Sequence, residues 1–235
     1  MLVFTNRTGV RKPYSHPCES DSRLDRVQTA QPIVANRRCN VAATQQNHPG
    51  DENEQELAPY DAGGLNADDF KAAFRNHPAG VALITADAGD GPVALTATSV
   101  FSVSAEPALL VFSVSEFSSS TPTIRKADTV VVHLLGAEQL DLAKLGATSG
   151  IDRFADTSIW SRLITGEPFF PSAHTWIRGR IINKLEAGNS TVVVVHALQA
   201  KAPQAGSHEA DAAESHPLVY HNRTWHKLSA ASKIE

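Results

Sequence analysis

The chain has 235 residues, a formal net charge of −4 and an ordinary share of apolar residues, which suits one domain with additions or two small ones. No apolar run approaches the roughly 20 residues of a membrane-spanning helix, and the mild acidity argues against a nucleic-acid-binding surface. The two cysteines, Cys18 and Cys39, form neither a disulfide framework nor a CxxC metal site, so we expect a reducing, cytoplasmic location.

The N-terminal part lacks the periodicity of a helix or a strand. Residues 1–66 combine scattered arginines with serine, threonine, asparagine and glutamine, and this low hydrophobicity predicts disorder. We therefore divide the chain into a disordered extension, residues 1–66, and a folded domain, residues 67–235. A transit peptide has a similar Arg-rich start, but Glu19, Asp21 and Asp25 interrupt that pattern.

The folded part is predicted to begin with a short helix. Asn66 is a favourable cap for a helix over residues 70–76, because its side chain accepts bonds from free N–H groups of the first turn. Phe70 and Phe74 lie one turn apart and share a face.

Strands dominate the rest of the chain. Apolar and β-branched segments predict strands at residues 81–86, 108–115, 129–135, 175–187, 191–200 and 218–228, with a further strand that carries Thr96–Ser99. A second helix is predicted over residues 137–145, and Glu106-Pro107 predicts a turn. Many strands, few short helices and no repeated βαβ pattern predict an antiparallel barrel or sandwich.

The segment 92–124 contains the pattern most indicative of chemistry. Ser118 to Thr121, followed by Pro122, signals a helix start, and free N–H groups at a helix start bind anions such as phosphate. The polar face of the Thr96–Ser99 strand next to such a helix would hold a phosphorylated, planar cofactor. The alternative is that these hydroxyls are only the polar face of a half-buried strand and a helix cap.

Neither a catalytic side chain nor a metal ligand is predicted. The sequence has no GxSxG nucleophile elbow, and His174 and His196 lack a partner at metal-ligand spacing. His133 lies inside the apolar segment TVVVHLL and is interpreted as a core or interface histidine.

Five short segments follow one another in a characteristic order. They are residues 74–85, 96–107 and 118–125, the triplet Asp152-Arg153-Phe154, and residues 217–220. Together they resemble the flavin reductase family with its FMN-binding split-barrel fold. The resemblance implies a mainly β, Greek-key split β-barrel with a few short helices, and a homodimer with flavin near its interface. It also implies NAD(P)H-dependent reduction of FMN or FAD, with the reduced flavin supplied to a partner monooxygenase.

The same resemblance implies which residues bind the cofactors. Flavin contacts are expected from two strands and the hydroxyl run: Pro92, Val93, Ala94, Leu95, Thr96, Thr98, Ser99, Ser113, Val114, Ser115, Ser119 and Ser120. Lys144 and Leu145 would lie near the flavin tail, where the lysine supplies positive charge. NADH or NADPH contacts are expected from Tyr220, His221, Asn222 and Arg223. The cofactors carry the hydride chemistry, so the protein has to orient them and needs no dedicated acid or base.

Two departures from the family pattern fall on the expected nicotinamide side. Gly188-Asn189-Ser190 stands where the family commonly has glycine, an acidic residue and histidine, and Arg223 stands where glycine is usual. A non-catalytic flavin-binding split barrel is therefore the alternative function. Arg223 would otherwise suit the extra phosphate of NADPH. A split-barrel oxidase acting on a phosphorylated pyridine ranks last, because no phosphate clamp rich in lysine and arginine is visible.

Overall fold

The structure is a computed structural model that describes residues 64–203 and 216–234. The predicted disordered extension, residues 1–66, lies almost entirely outside the described residues, and so does most of the polar loop expected between residues 201 and 215. In the described part no helix is long and apolar enough to cross a membrane.

The described part of the chain contains twelve strands and three α-helices. In chain order they are α1 (Ala67–Arg75), β1 (Ala79–Gly80), β2 (Ala82–Asp87), β3 (Pro92–Ala97), β4 (Phe101–Ala105), β5 (Ala108–Ser115), α2 (Thr121–Lys126), β6 (Thr129–Leu134), α3 (Leu140–Ala147), β7 (Ser161–Arg162), β8 (Pro168–Phe169), β9 (Thr175–Glu186), β10 (Ser190–Lys201), β11 (Leu218–His221) and β12 (Thr224–Lys227). Short 3₁₀ turns precede α3 (Ala137–Gln139) and follow β12 (Ala230–Ser232).

A seven-stranded antiparallel sheet forms the body of the fold. Its strand order is β3-β2-β6-β9-β10-β5-β4. The hairpins are β2-β3, β9-β10 and β4-β5; β6 lies between the first two, and β10 pairs with β5. A three-stranded sheet, β1-β11-β12, and the hairpin β7-β8 lie beside it. This architecture confirms the prediction of a mainly β split barrel with a few short helices.

Two apolar clusters explain why the central strands are apolar along their whole length. The first cluster lies on one face of the sheet and includes Ile84, Phe112 and Val195. The second lies on the other face, beneath α3 and the following loop, and includes Leu83 and Phe170. Since Leu83 and Ile84 are neighbours in β2 and both are fully buried, β2 is covered on both sides, as a continuous apolar strand requires.

His133 on β6 is a core histidine, as the sequence indicates. It is fully buried, its Nδ1 lies 2.9 Å from the carbonyl oxygen of Leu83, and the Phe170 N–H donates to its Nε2 over 3.1 Å. Nδ1 therefore carries the proton and donates to Leu83, because Nε2 is an acceptor. Burial lowers the pKa of His133 to about 4, so the ring is neutral near pH 7. Its two hydrogen bonds connect β6 to β2 and to the segment after β8.

The prediction of a single last strand over residues 218–228 is wrong. The segment folds into the hairpin β11-β12, with Asn222 at φ 46° and Arg223 at φ 63°. Two successive left-handed residues form the kind of tight turn that matches the twist of paired strands. Asparagine tolerates this conformation well, whereas arginine has no such preference. The sequence around Arg223 therefore did not indicate a turn.

The prediction of a strand through Thr98 and Ser99 is also wrong. β3 ends at Ala97 and β4 begins at Phe101. The Ser99 hydroxyl bonds to the backbone of β5 instead, and such side-chain bonds compete with a regular ladder. The expected turn at Glu106-Pro107 does connect two strands, but these are β4 and β5.

Candidate functional site

The sheet leaves two strand edges facing one another. β3 pairs only with β2, so its other edge is open. β5 pairs with β10 along its length, but with β4 only as far as Val111, which leaves residues 112–115 open on the second side. We call the gap between these two edges the split. Backbone N–H and C=O groups along such edges are unused by the ladder and are available to a ligand or a side chain.

Ser99 bridges one end of the split. Its hydroxyl donates to the carbonyl oxygen of Ser113 over 3.2 Å, and the Ser113 N–H donates to the Ser99 hydroxyl oxygen over 3.0 Å. One side chain thus takes the place of a strand neighbour for Ser113 and keeps β5 at a fixed distance from the loop after β3.

Hydroxyl groups close the other end of the split. Ser120 is buried and donates to the carbonyl oxygen of Ala94 over 2.8 Å. Thr121 donates to the carbonyl oxygen of Ser115 over 2.6 Å, and the Ser118 N–H donates to the same oxygen over 3.0 Å. The hydroxyl-rich segment therefore holds the split in shape from the α2 side, and the hydroxyls of Ser120 and Thr121 are used within the protein.

A cavity of about 180 Å³ lies in the split and is called the split cavity. Its walls come from the end of β3, the end of β5, the hydroxyl run and the loop after α3. The lining residues are Leu95, Thr96, Ala97, Thr98, Ser99, Ser113, Val114, Ser115, Phe117, Ser118, Ser119, Gly146, Ala147, Ser149, Gly150 and Arg153.

Among the described residues, Arg153 is the only charged side chain that lines the split cavity. One guanidinium nitrogen, Nη2, donates to the carbonyl oxygen of Thr148 over 2.6 Å. Nε is buried and has no hydrogen-bond partner among the described residues, and no carboxylate of those residues pairs with the side chain. Burial lowers the pKa of Arg153. A half-buried cation whose buried Nε is an unused donor favours an anionic ligand such as a phosphate, because an unpaired buried donor is costly.

Helix α3 is packed tightly against β3 at the same place. The Thr96 hydroxyl donates to the carbonyl oxygen of Ala143 over 2.7 Å. A side chain at Gly146 would overlap Leu83 and Thr96 and would lie 3.0 Å from the backbone nitrogen of Thr96. Glycine is therefore required for α3 to reach the open edge of β3 and bring the loop with Arg153 to the cavity.

A second, larger cavity of about 540 Å³ adjoins the first and is called the hairpin cavity. Thr98, Ser99 and Ser113 line both cavities, so the Ser99–Ser113 pair is part of a shared wall. The other lining residues come from α1, the segment after it, β4, β5, β10 and the β11-β12 turn: Lys71, Phe74, Arg75, His77, Pro78, Ala79, Gly80, Val100, Phe101, Val111, Phe112, Val192, Tyr220, Asn222 and Arg223.

The structure brings most of the predicted site residues to these two cavities. Eight of those expected to contact flavin line the split cavity: Leu95, Thr96, Thr98, Ser99, Ser113, Val114, Ser115 and Ser119. Three of those expected on the nicotinamide side line the hairpin cavity: Tyr220, Asn222 and Arg223. The rest line neither cavity: Pro92, Val93, Ala94, Ser120, Lys144, Leu145 and His221.

Sequence reasoning assigned no cofactor contact to several residues of the split cavity. Arg153 is the main one, although the triplet Asp152-Arg153-Phe154 was itself recognisable. Gly146, Ala147, Ser149 and Gly150 were also missed. A short helix followed by small residues is the available signal, because such residues allow the chain to approach a strand edge closely.

The turn Gly188-Asn189-Ser190, one of the two departures from the family pattern, lines neither cavity. The carbonyl oxygen of Asn189 accepts a bond from the Glu116 N–H over 3.1 Å, so within one chain this turn lies against the segment after β5. Only Arg223, of the two departures, lines the hairpin cavity.

Comparison with known proteins decides the family. The sequence model of a protein family, described as the flavin reductase like domain, matches residues 74–229. The chain belongs to the flavin reductase family. This confirms the resemblance drawn from the five sequence segments.

Individual relatives support the same family. An NADH:FMN oxidoreductase from Rhodococcus qingshengii is 40% identical over 164 residues, which cover 70% of this chain and 83% of that protein. The reductase component of a 4-nitrophenol 4-monooxygenase/4-nitrocatechol 2-monooxygenase from Rhodococcus opacus is 29% identical over 136 residues, covering 56% and 72% of the two chains. The crystal structure of a flavin reductase domain protein from Arthrobacter sp. FB24 matches with a TM-score of 0.62 and 31% identity, covering 69% of this chain and 95% of that one.

Proposed function

We infer that the protein is an NADH-dependent flavin reductase that supplies reduced flavin to a partner monooxygenase. The observation that carries this function is the pair of adjoining cavities with a shared wall of Thr98, Ser99 and Ser113. A reaction between two nucleotide cofactors requires two binding places that meet at their reactive ends. Holding both rings there removes orientational entropy from the barrier.

The residues of the split cavity fit a flavin nucleotide. Open edges of β3 and β5 offer backbone donors and acceptors to the heterocycle, and donors near its pyrimidine ring stabilise negative charge that develops there. Arg153 offers a buried, unpartnered N–H to the phosphate. We therefore propose Arg153, and not Lys144, as the cation for the flavin tail. A bound flavin supplies the hydride acceptor, and the chain's own contribution is to bind and orient it.

No side chain of the described residues is assigned to acid or base catalysis. Among those residues there is no group of three His, Cys, Asp or Glu side chains that would hold a metal ion. The proposed chemistry needs neither, because hydride transfer between two cofactor rings is completed by their own electronics.

FMN and NADH are proposed as the preferred pair. The Rhodococcus qingshengii relative is named for both, and its match extends over most of its own length. Parallel assays with FAD and with NADPH test this preference. Arg223 would have to contact the extra phosphate for NADPH to be preferred, and in that case Arg223→Gly should abolish the preference.

We also propose a homodimer in the cytoplasm. Strands β9, β10, β5 and β4 are neighbours in the sheet. Three of them, β9, β10 and β4, carry large exposed apolar side chains: Ile182, Leu185, Leu198, Phe101 and Val103. Exposed apolar groups of this number support an interface between protein chains. The Rhodococcus opacus relative, which is named as a reductase component, supports a separate monooxygenase as the recipient of reduced flavin.

A non-catalytic flavin-binding protein is the second candidate, and Arg223 is the observation that favours it. This side chain lines the hairpin cavity, at a position where the resemblance to the family implies glycine. Oxidation of NADH and of NADPH by the purified protein, with FMN or FAD added, separates the two functions. Turnover that depends on added flavin supports the reductase. Flavin binding by fluorescence quenching without turnover supports the non-catalytic protein.

A further inference from the structure

The C-terminal end of helix α1 is hydrogen-bonded to the barrel. None of its nine residues is buried. The Asn222 N–H donates to the carbonyl oxygen of Arg75 over 3.2 Å, and His221 Nε2 lies 2.9 Å from Oδ1 of Asn76. These two contacts join the end of α1 to the β11-β12 turn, so the helix and the turn form one continuous wall of the hairpin cavity.

This wall carries positive charge. Lys71 and Arg75 come from α1 and Arg223 comes from the turn, and all three line the cavity. No carboxylate is among the described residues that line it. Arg75 and Arg223 form no ion pair within the described residues, and Lys71 has only an exposed contact with Asp68 at 3.3 Å.

Arg223 is held at a defined place in this wall. Its backbone is in the left-handed region, at φ 63°, within a two-residue turn. Tyr220, two residues before the turn's Asn222, lines the same cavity; burial raises its pKa, and the Arg223 charge opposes that rise. Tyr220 in turn packs on Trp225 with ring centroids 4.8 Å apart.

The opposite side of the cavity is apolar and ends at the shared wall. Phe101, which is 62% exposed, and Val111 lie on β4 and β5, and Ser99 and Ser113 separate this region from the split cavity. A fitting ligand has a planar ring at one end and at least two negative charges at the other. A dihydronicotinamide dinucleotide has this distribution, since its ring is separated from its adenosine by a diphosphate.

We propose that Arg75 and Arg223, with Lys71 at the rim, bind the diphosphate of the dinucleotide hydride donor. Helix α1 is then the element that makes the protein select a dinucleotide over a smaller dihydronicotinamide. The proposal rests on the reductase function and identifies residues for the donor side of the same site. It differs from an NADPH-specific role of Arg223, because NADH and NADPH share the diphosphate.

The double variant Arg75→Gln/Arg223→Gln tests the proposal with three hydride donors. With NADH and with NADPH we expect kcat/KM to fall at least about tenfold. The loss is limited to about this size because both cations are exposed and each contact is partly screened. It should appear mainly in KM, because these contacts bind the donor and not its reacting ring. With 1-benzyl-1,4-dihydronicotinamide, an uncharged donor that lacks the diphosphate, kcat/KM should stay within about twofold. Lys227→Gln is the matched control, because it removes a cation from the same hairpin that lines neither cavity.

Three kinetic results would overturn the proposal. The first is an unchanged kcat/KM with NADH in the double variant. The second is a loss confined to NADPH, which would place Arg223 at the extra phosphate. The third is an equal loss with the uncharged donor, since that result indicates damage to the site in general. The affinity for FMN, measured in parallel, shows whether the double variant is folded.

A binding measurement separates this proposal from the reductase function. Calorimetric titration of the parent protein with ADP-ribose, which has the diphosphate but no reactive ring, should detect binding that weakens at least about tenfold in the double variant. If the parent turns over no donor, the reductase function fails, while loss of ADP-ribose binding still supports the diphosphate site. Absent binding to the parent, or equal binding to both proteins, overturns it.

Discussion

The Ser99 hydroxyl forms two hydrogen bonds with the backbone of Ser113, one to its carbonyl oxygen and one from its N–H. Both residues line both cavities. A single serine therefore fixes the wall on which two ligands would meet, and its removal should affect their relative placement more than the fold.

Replacement of Ser99 by alanine is expected to weaken FMN binding and slow turnover. The change leaves the Ser113 N–H and C=O without this partner, at a cost of about 1–2 kcal/mol in the free energy of unfolding. We expect kcat with NADH to fall by about tenfold or more, because small misplacements of reacting groups are costly. Thermal unfolding and steady-state kinetics measure the two effects. Ser102→Ala, at an exposed position of β4, is the control, and equal behaviour of the two variants would contradict the assignment.

Replacement of Arg153 by glutamine is expected to lower FMN affinity selectively. A hydrogen bond from a cation to a phosphate contributes about 1.5–3 kcal/mol, which corresponds to a roughly 10- to 100-fold weaker Kd. Riboflavin lacks the phosphate and should bind parent and variant alike. Fluorescence titration with both flavins makes the measurement.

Lys144→Gln provides the comparison for Arg153, because the resemblance to the family implied this role for Lys144 and the structure leaves it exposed outside the cavity. Its FMN affinity should equal that of the parent. A larger loss in Lys144→Gln than in Arg153→Gln would contradict the proposed phosphate contact.

Replacement of Gly146 by alanine is expected to displace α3. The added Cβ would overlap Leu83 and Thr96, and overpacking of this kind costs about 1–3 kcal/mol. The Thr96–Ala143 hydrogen bond and the loop with Arg153 should shift together, so stability and FMN affinity both fall. Gly64→Ala, where nothing lies within 4 Å of the added atom, is the control. Unchanged FMN affinity in Gly146→Ala would show that α3 does not shape the cavity.

His133 makes stability depend on pH. Its folded-state pKa is lowered from 6.5 to about 4, so between these values the unfolded chain binds more protons than the folded one. Stability is then fully present above pH 6.5 and falls as the pH drops towards 4, by up to about 1.4 kcal/mol per pH unit. Asp87 and Glu167 also have pKa values lowered from 3.8 and 4.5. Their contributions are lost as the pH falls through and below those values, so Glu167 overlaps only the acidic end of this window.

Denaturant unfolding at several pH values tests the role of His133. His133→Gln should be less stable than the parent near neutral pH, since it loses at least one of the two buried bonds. Its stability should also change less between about pH 6.5 and 4.5. An equally steep pH dependence in parent and variant would assign the effect to other groups.

The division of the chain at residue 66 also makes a prediction. Deletion of residues 1–60 should leave the melting temperature and the FMN affinity of the domain unchanged, because the low hydrophobicity of that segment predicts that it contributes no core. Loss of solubility or of flavin binding in the shortened protein would show that the segment belongs to the domain.

The sequence predicted those features that depend on local pattern. Apolar strand segments and the Asn66 cap are local, and Asn66 Oδ1 does accept from the N–H groups of Asp68 and Asp69 over 3.0 and 2.9 Å. The hydroxyl residues Thr96, Ser99 and Ser119 were found because the family places them in recognisable motifs, and all three line the split cavity.

What the sequence did not reveal depends on contacts between distant segments. Arg153 reaches the split only because Gly146 lets α3 approach β3 closely. Ser120 is used internally because it lies against Ala94, which no local pattern shows. The last hairpin was not predicted because its turn places Arg223 at a positive φ, a conformation that an arginine in the sequence does not indicate.

Anaerobic mixing of the purified protein with FMN and NADH tests the central claim most directly. The flavin absorbance should disappear, and one NADH should be consumed for each flavin reduced, at a rate that is lower in Ser99→Ala. Flavin that binds with the affinity of the parent complex but keeps its absorbance on addition of NADH and of NADPH would contradict the reductase function and leave a flavin-binding protein.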